Sequence, residues 1–330
     1  MKEQVTVSFP GLGIEDFTVS KIAVAWQKLP LYWIAIFALI SVAAALAYGL
    51  FRYKKNGRLG KDDIMSASLV AVFGILIGVL LCFIDVNVRW YGLLITIGMG
   101  AAVGYAFFRT RSIGVSTDDL LDLALFTILF GVLGARLYYV ITYGGYSFAE
   151  IFQIWKGGLA IYGGIIGGIL AIFFVCRRKK MNFLGVIDCV APGVMIAQSL
   201  GRWGNFFNGE AYGGLVEEGS LLYFLRMGLY PNKLSSSMAY VHPTFFYESL
   251  WNAVGFVLIN VFYKKKKFDG EVAFWYLSWY GFGRMLIEGL RTDSLMVGPF
   301  RISQLVGLLC FVGCGALVVV GRIRAYKKSK

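Results

Sequence analysis

Residues 66–84 read SASLVAVFGILIGVLLCFI, nineteen consecutive positions without a charged side chain. As a helix rising 1.5 Å per residue, such a run covers about 28 Å, close to the hydrocarbon thickness of a bilayer. A helix on the surface of a soluble domain would carry charged residues along one face. This stretch carries none and predicts a membrane span.

Eight further, mostly apolar runs lie near 30–51, 90–108, 120–141, 157–175, 184–201, 245–263, 271–288 and 302–321. The run at 184–201 is interrupted by Asp188, Pro192 and Gln198. The expected fold class is an all-α polytopic membrane protein with about nine spans. Composition agrees: 58% of the 330 residues are hydrophobic and 15% charged, against roughly a quarter charged in soluble domains. The 27 Phe, 19 Tyr and 8 Trp exclude a disordered chain. The first seventeen residues, MKEQVTVSFPGLGIEDF, show no basic region followed by an apolar core, so no cleavable leader is expected.

The net charge of +13 is carried by clusters between the apolar runs, not by one continuous face. That arrangement suits anionic lipid and gives no reason to expect nucleic acid. Arg52, Lys54, Lys55, Arg58 and Lys61 follow the first run, Arg109 and Arg111 the third, Arg177–Lys180 the fifth, and Lys264–Lys267 the seventh. Arg322, Arg324, Lys327, Lys328 and Lys330 follow the last. Short basic connections stay in the cytoplasm, so the N-terminus is expected outside and the C-terminus inside. The connection 202–244 then forms a small external head. The FP-containing segment before residue 28 is expected as short strands or an interfacial stretch. Cys82, Cys176, Cys189, Cys310 and Cys314 lack metal or disulfide spacing and read as packing residues. The single histidine, His242, rules out a multi-histidine metal site. Neither metal nor organic cofactor is expected.

Ionisable side chains inside hydrocarbon are costly and mark functional sites by default. Arg136 in GARLYYV, Asp188, and Arg284 and Glu288 in WYGFGRMLIEGLR are of this kind, and they are expected towards the outer face. Tyr280, Arg284 and Glu288 recur at i, i+4 and i+8 and so share one helix face. An internal ion pair would explain the last two; an anion site explains the wider cluster better. Asp188 is a candidate mate for Arg136. Arg89, next to Trp90-Tyr91-Gly92, suits either snorkelling or substrate contact.

Two glycine-rich stretches frame these charges. In 157–164, GGLAIYGG, the glycines suit close helix packing, but Tyr162 among them points to more than packing. In 201–213, GRWGNFFNGEAYG, an arginine, two asparagines, a glutamate and glycines stand together. Arginine presents a planar fork of donors matched to phosphate. His242-Pro243 with Glu248 suits the start of the span that follows.

These motifs resemble the bacterial prolipoprotein diacylglyceryl transferase family. The resemblance rests on Arg202 to Glu210, Arg89-Trp90-Tyr91-Gly92, Gly134-Ala135-Arg136-Leu137, Gly157-Gly158 through Gly164, and Asp188 with Ala191-Pro192. His242-Pro243 with Tyr247-Glu248, and Tyr280-Gly281 with Arg284, Glu288 and Arg291, complete it, over about 86–321. It implies a seven-span core over 86–330, including the head at 202–244, preceded by an external segment at 1–28 and an additional two-span hairpin at 29–85.

It further implies transfer of diacylglyceryl from phosphatidylglycerol to the lipobox cysteine of a prolipoprotein in the bacterial cell membrane, releasing glycerol 1-phosphate. Arg202 and Arg284 are implied at the phosphate, with Arg136 or Arg291 in support. Asn205, Asn208, Tyr91, Tyr280 and Arg89 are implied at substrate. Glu210 and Glu288 would accept the thiol proton or orient the arginines, with His242 in reserve. Tyr162 stands where many relatives have a histidine; an unperturbed phenol is a poor base at neutral pH. A transporter with an anion pathway is the competing class, and a lipid-binding assembly factor a third.

Overall fold

The structure is a computed structural model describing residues 4–26, 28–58, 60–83, 86–146, 148–153, 157–229 and 238–328. In chain order it runs β1 (Gln4–Phe9), β2 (Ile14–Ser20), β3 (Ile22–Trp26), α1 (Tyr32–Asn56), α2 (Lys61–Phe83), β4 (Val86–Arg89) and α3 (Trp90–Thr110). It continues with α4 (Thr117–Tyr143), α5 (Phe148–Ile151), α6 (Ile161–Arg178), α7 (Phe183–Asn208), β5 (Met227–Leu229), β6 (Ala239–Val241) and α8 (Thr244–Phe262). The chain closes with α9 (Glu271–Glu288), β7 (Met296–Val297), β8 (Phe300–Arg301) and α10 (Ile302–Lys328).

Among the described residues, eight helices are long and apolar enough to cross a membrane, so the protein is a multi-pass, mainly helical membrane protein. The remaining expected span is α9, an 18-residue helix carrying Glu271, Arg284 and Glu288. Those charges lower its apolarity; Arg284 pairs with Glu248 of α8 and with Glu288 one turn along α9, and Glu271 pairs with Arg322 of α10.

Residues 20–93 form one compact unit. Within it α1 and α2 pair as a hairpin, Ser41 lying against Gly74 and Phe37 against Gly78, where a Cβ would have no room. Arg52 and Asp63, 2.5 Å apart, close the turn, and the antiparallel ribbon β3–β4 joins the other end.

The second unit holds residues 2–19 and 94–330. Its helices meet where glycines remove side-chain bulk: Gly134 against Gly163 and Gly167 for α4–α6, and Gly281 against Gly307 for α9–α10. α8 and α9 are clasped by Trp251 and Trp279, whose rings stack 4.3 Å apart at 15°. Each indole Nε1 donates to the other residue's carbonyl at 2.9 Å. α7 and α8 are joined by reciprocal bonds at 3.0 Å between Ser199 and Ser249, each hydroxyl donating to the other's carbonyl. The N-terminal segment takes the strand form and builds a sheet of order β2-β1-β5-β6. Val7, Met227, Leu229, Val241, Phe206 and Phe245 form the apolar core beneath it.

Two expectations are corrected. The sixth span does not stop at residue 201: α7 continues to Asn208 and ends at Gly209, whose φ of 64° is the left-handed cap that glycine adopts freely. The first part of the expected head is therefore helix. Asp188 is no mate of Arg136. Its carboxylate accepts from the backbone N–H of Gly270 and Ala273 at 2.8 and 2.9 Å and pairs with Lys266 at 3.3 Å. It caps the start of α9, where backbone donors and the helix dipole favour negative charge, at the basic end of the bundle and not with the charges near Glu288.

Candidate active site

Three elements converge on two buried carboxylates. Glu248 lies one turn into α8 and is 3% exposed; Glu288 ends α9 and is 1% exposed. The Ser199–Ser249 bonds set α7 against α8, and the indole clasp sets α9 against α8, which fixes what can reach these acids. Arg202 of α7 lies 2.5 Å from Glu248 Oε2, and Arg284 of α9 lies 2.6 Å from Glu248 Oε1. Arg284 also reaches Glu288 at 2.6 Å, one turn along its own helix. Arg291, just beyond α9, approaches Glu248 at 3.4 Å and Glu288 at 4.0 Å, and holds Asp293 at 2.8 Å. Arg301 of β8 donates to the Glu288 carbonyl.

A buried carboxylate without partners is strongly unfavourable, so each acid here requires its guanidinium groups. Arg202, Arg284 and Arg291 against Glu248 and Glu288 leave one positive charge in excess. Asp293, nearer solvent, balances it at the rim. Burial alone would raise the Asp293 carboxyl, but the hydrogen bond and charge of Arg291 outweigh it and hold it below its ordinary value.

The segment 211–214 ties these elements together. Gly213 N–H donates to the His242 carbonyl at 2.9 Å, His242 N–H to the Gly214 carbonyl at 3.0 Å, and Gly214 N–H to the Leu290 carbonyl at 2.8 Å. Thr244 Oγ1 donates to the Ala211 carbonyl at 2.5 Å. Any Cβ at position 213 would stand 2.7 Å from the His242 Cβ and 2.8 Å from the Leu290 carbonyl, so glycine alone fits. The start of α8 and the turn after α9 are thereby joined to the chain leaving α7.

Beside Arg202, the end of α7 presents Asn205 and Asn208, both donating to Glu210 Oε1 at 3.3 and 3.0 Å. Trp203 Nε1 donates to Ser249 Oγ at 3.1 Å. His242 Nδ1 lies 3.3 Å from the Tyr247 hydroxyl. Partial burial lowers its basicity below the ordinary imidazole value. Tyr280, one turn before Arg284, stacks on Tyr276 at 6.0 Å.

Other predicted residues make contacts of their own. Arg136 donates to the carbonyls of Glu150, Ile151, Gly157 and Gly158 at 2.6–3.0 Å, so its fork ties the end of α5 to the two glycines ahead of α6. Tyr162 opens α6, its ring 6.4 Å from that of Tyr138. In the first unit, Arg89 ends β4 opposite Ile22 and Tyr91 occupies the first turn of α3. Glu248 was missed as a site residue because a glutamate near a helix start reads as a terminus feature. The signal was its position within the apolar run TFFYESLW, where a carboxylate calls for a partner. Arg301 was missed as well; it lies outside any motif.

The fold and these contacts define the class: a multi-pass helical membrane protein whose half-buried arginines are gathered around shared, buried carboxylates. The family follows from comparison with known proteins. Residues 79–320 match the model of the prolipoprotein diacylglyceryl transferase family, and the chain belongs to that family. Phosphatidylglycerol--prolipoprotein diacylglyceryl transferases from the Spain 23F-1, Taiwan19F-14 and JJA strains of Streptococcus pneumoniae are each 46% identical over 238 residues. The alignments cover 71% of this chain and 89% of each relative. α1 and most of α2 precede the family match.

Proposed function

We propose that this chain transfers the diacylglyceryl group of phosphatidylglycerol to the lipobox cysteine of a prolipoprotein in the bacterial cell membrane. The observation that carries the reading is the convergence of Arg202, Arg284 and Arg291 on Glu248 and Glu288. The reaction is a displacement at a glyceride carbon: its bond to the phosphate oxygen breaks, a carbon–sulfur bond forms, and glycerol 1-phosphate leaves. Guanidinium forks stabilise charge on the departing phosphate. Glu248 and Glu288 hold those forks in place before substrate arrives, so the phosphate competes with carboxylates for prearranged donors.

The thiol must lose its proton, and a positive field lowers its pKa. Glu210, set by Asn205 and Asn208, is the acceptor we favour, because Glu288 is committed to its arginines. Asn205, Asn208, Tyr280, Tyr91 and Arg89 are assigned to substrate; Tyr162 orients without serving as base, and His242 is a reserve acceptor. Arg136 supports the site through the backbone it binds. The N-terminus lies outside and the C-terminus inside, as the basic connections require; residues 86–330 form the transferase core.

The test uses the full chain in phosphatidylglycerol vesicles with a lipobox peptide. A peptide mass gain equal to one diacylglyceryl group supports the reading; solute flux without covalent change overturns it. Arg202→Lys and Arg284→Lys keep the charge and lose the fork, and each is expected to lower the mass-gain rate by about a hundredfold. Near-normal rates in both would remove the phosphate role.

A further inference from the structure

Away from the arginine–carboxylate centre, α4 and α6 enclose a furrow of about 1030 Å³. Its floor is the line of contact at Gly134, Gly163 and Gly167, where the backbones approach too closely for any side chain. Its walls are large apolar side chains, Phe130, Leu133 and Leu137 from α4 and Ile166, Leu170 and Phe174 from α6, each at least 47% exposed. From Asp122 to Ile141 the furrow runs along about 28 Å of α4, close to the full apolar depth of a bilayer.

The two ends differ. At one, Tyr138 and Ile141 line the furrow. At the other stand Asp122, Arg178 and Lys179. Lys179 is claimed by two carboxylates, Asp119 at 2.5 Å and Asp122 at 2.6 Å. Arg178 is exposed and, among the described residues, pairs with no carboxylate. An apolar furrow deep enough for an extended acyl chain therefore ends in a guanidinium that makes no ion pair among the described residues.

We propose that this furrow seats an anionic diacyl phospholipid, with its phosphate on Arg178 and its chains along the glycine floor between α4 and α6. A zwitterionic lipid fills the apolar part equally well but brings its own cation to Arg178 and gains less there. The lipid is a resident of the helix pair, not the one consumed at Arg202 and Arg284, so the inference stands apart from the transferase reading.

The test reconstitutes the full chain in phosphatidylcholine vesicles containing either phosphatidylserine or phosphatidylcholine with a photoreactive acyl chain, and maps labelled residues by mass spectrometry. Phosphatidylserine lacks the glyceryl headgroup that the proposed reaction releases, and labelling needs no turnover. Labelling of 126–133 and 166–175 is expected to be about fivefold higher with phosphatidylserine, the effect of one basic residue at an anionic headgroup. Arg178→Gln is expected to bring it to the phosphatidylcholine level, Arg177→Gln to leave it unchanged, and Leu170→Trp to reduce furrow labelling by both lipids. Equal labelling by the two lipids, a full signal in Arg178→Gln, or an equal loss in Arg177→Gln would each overturn the proposal. A failure here leaves the peptide mass gain untouched.

Discussion

Glu248 shows how much one side chain decides. Three arginines from α7, α9 and the turn beyond it approach the same carboxylate, which is 3% exposed. Glu248→Gln keeps the shape and removes the charge, leaving guanidinium groups crowded without their shared counter-ion. Breaking a buried ion pair costs about 3 kcal/mol, so the midpoint of thermal unfolding in detergent should fall clearly below that of the native protein. Turnover by the fraction still folded should fall too, since Arg284 loses one of its two anchors. A variant with native stability and rate would reduce Glu248 to a bystander. Arg284 and Glu288 were legible in sequence because charged residues stand out within an apolar run; Arg202 stood out beside the asparagines of 201–213, and Arg291 came only with the family resemblance. Arg136 was legible as unusual but not for what it binds: backbone carbonyls carry no side-chain signature.

At the level of elements, apolar length foretold the long helices, since the bilayer allows little else to cross it. The limits of α7 were less visible. The span was expected to end at 201, yet α7 continues to Asn208 and stops at the left-handed Gly209. The three-residue strands β5 and β6 are too short for periodicity to register; β5 exists through pairing with β1, and β6 through pairing with β5. Helix register depends on the Trp251–Trp279 clasp, whose indoles lie over Gly255 and Gly283. A side chain at Gly283 meets the Trp251 ring, so Gly283→Leu should part α8 from α9 and pull Arg284 from Glu248. Overpacking of this kind costs about 1–3 kcal/mol, and the loss of activity should exceed the loss of folded protein. Gel filtration beside a rate measurement separates the two; equal losses would mean that the clasp supports folding alone.

For the molecule as a whole, acid should weaken the fold partly through its one histidine. His242 sits where the chain leaving α7, the start of α8 and the turn after α9 are stitched together, and burial disfavours its protonated form. Its folded value lies below the ordinary value of about 6.5, so the unfolded chain takes up the proton first as pH falls. The stabilising difference is therefore complete above that value and shrinks as pH drops through and below it. Between about pH 7.5 and 5.5, the native unfolding midpoint should fall more steeply than that of His242→Gln; parallel curves would clear His242 of this role.

The stacked indoles also make the protein its own reporter. Two such chromophores, parallel within 15° and 4.3 Å apart, couple when they absorb, giving a paired circular-dichroism band that isolated tryptophans lack. That band follows the distance between α8 and α9 without any attached probe. Its fading on adding lipid or peptide would reveal whether the two helices part each time a substrate arrives.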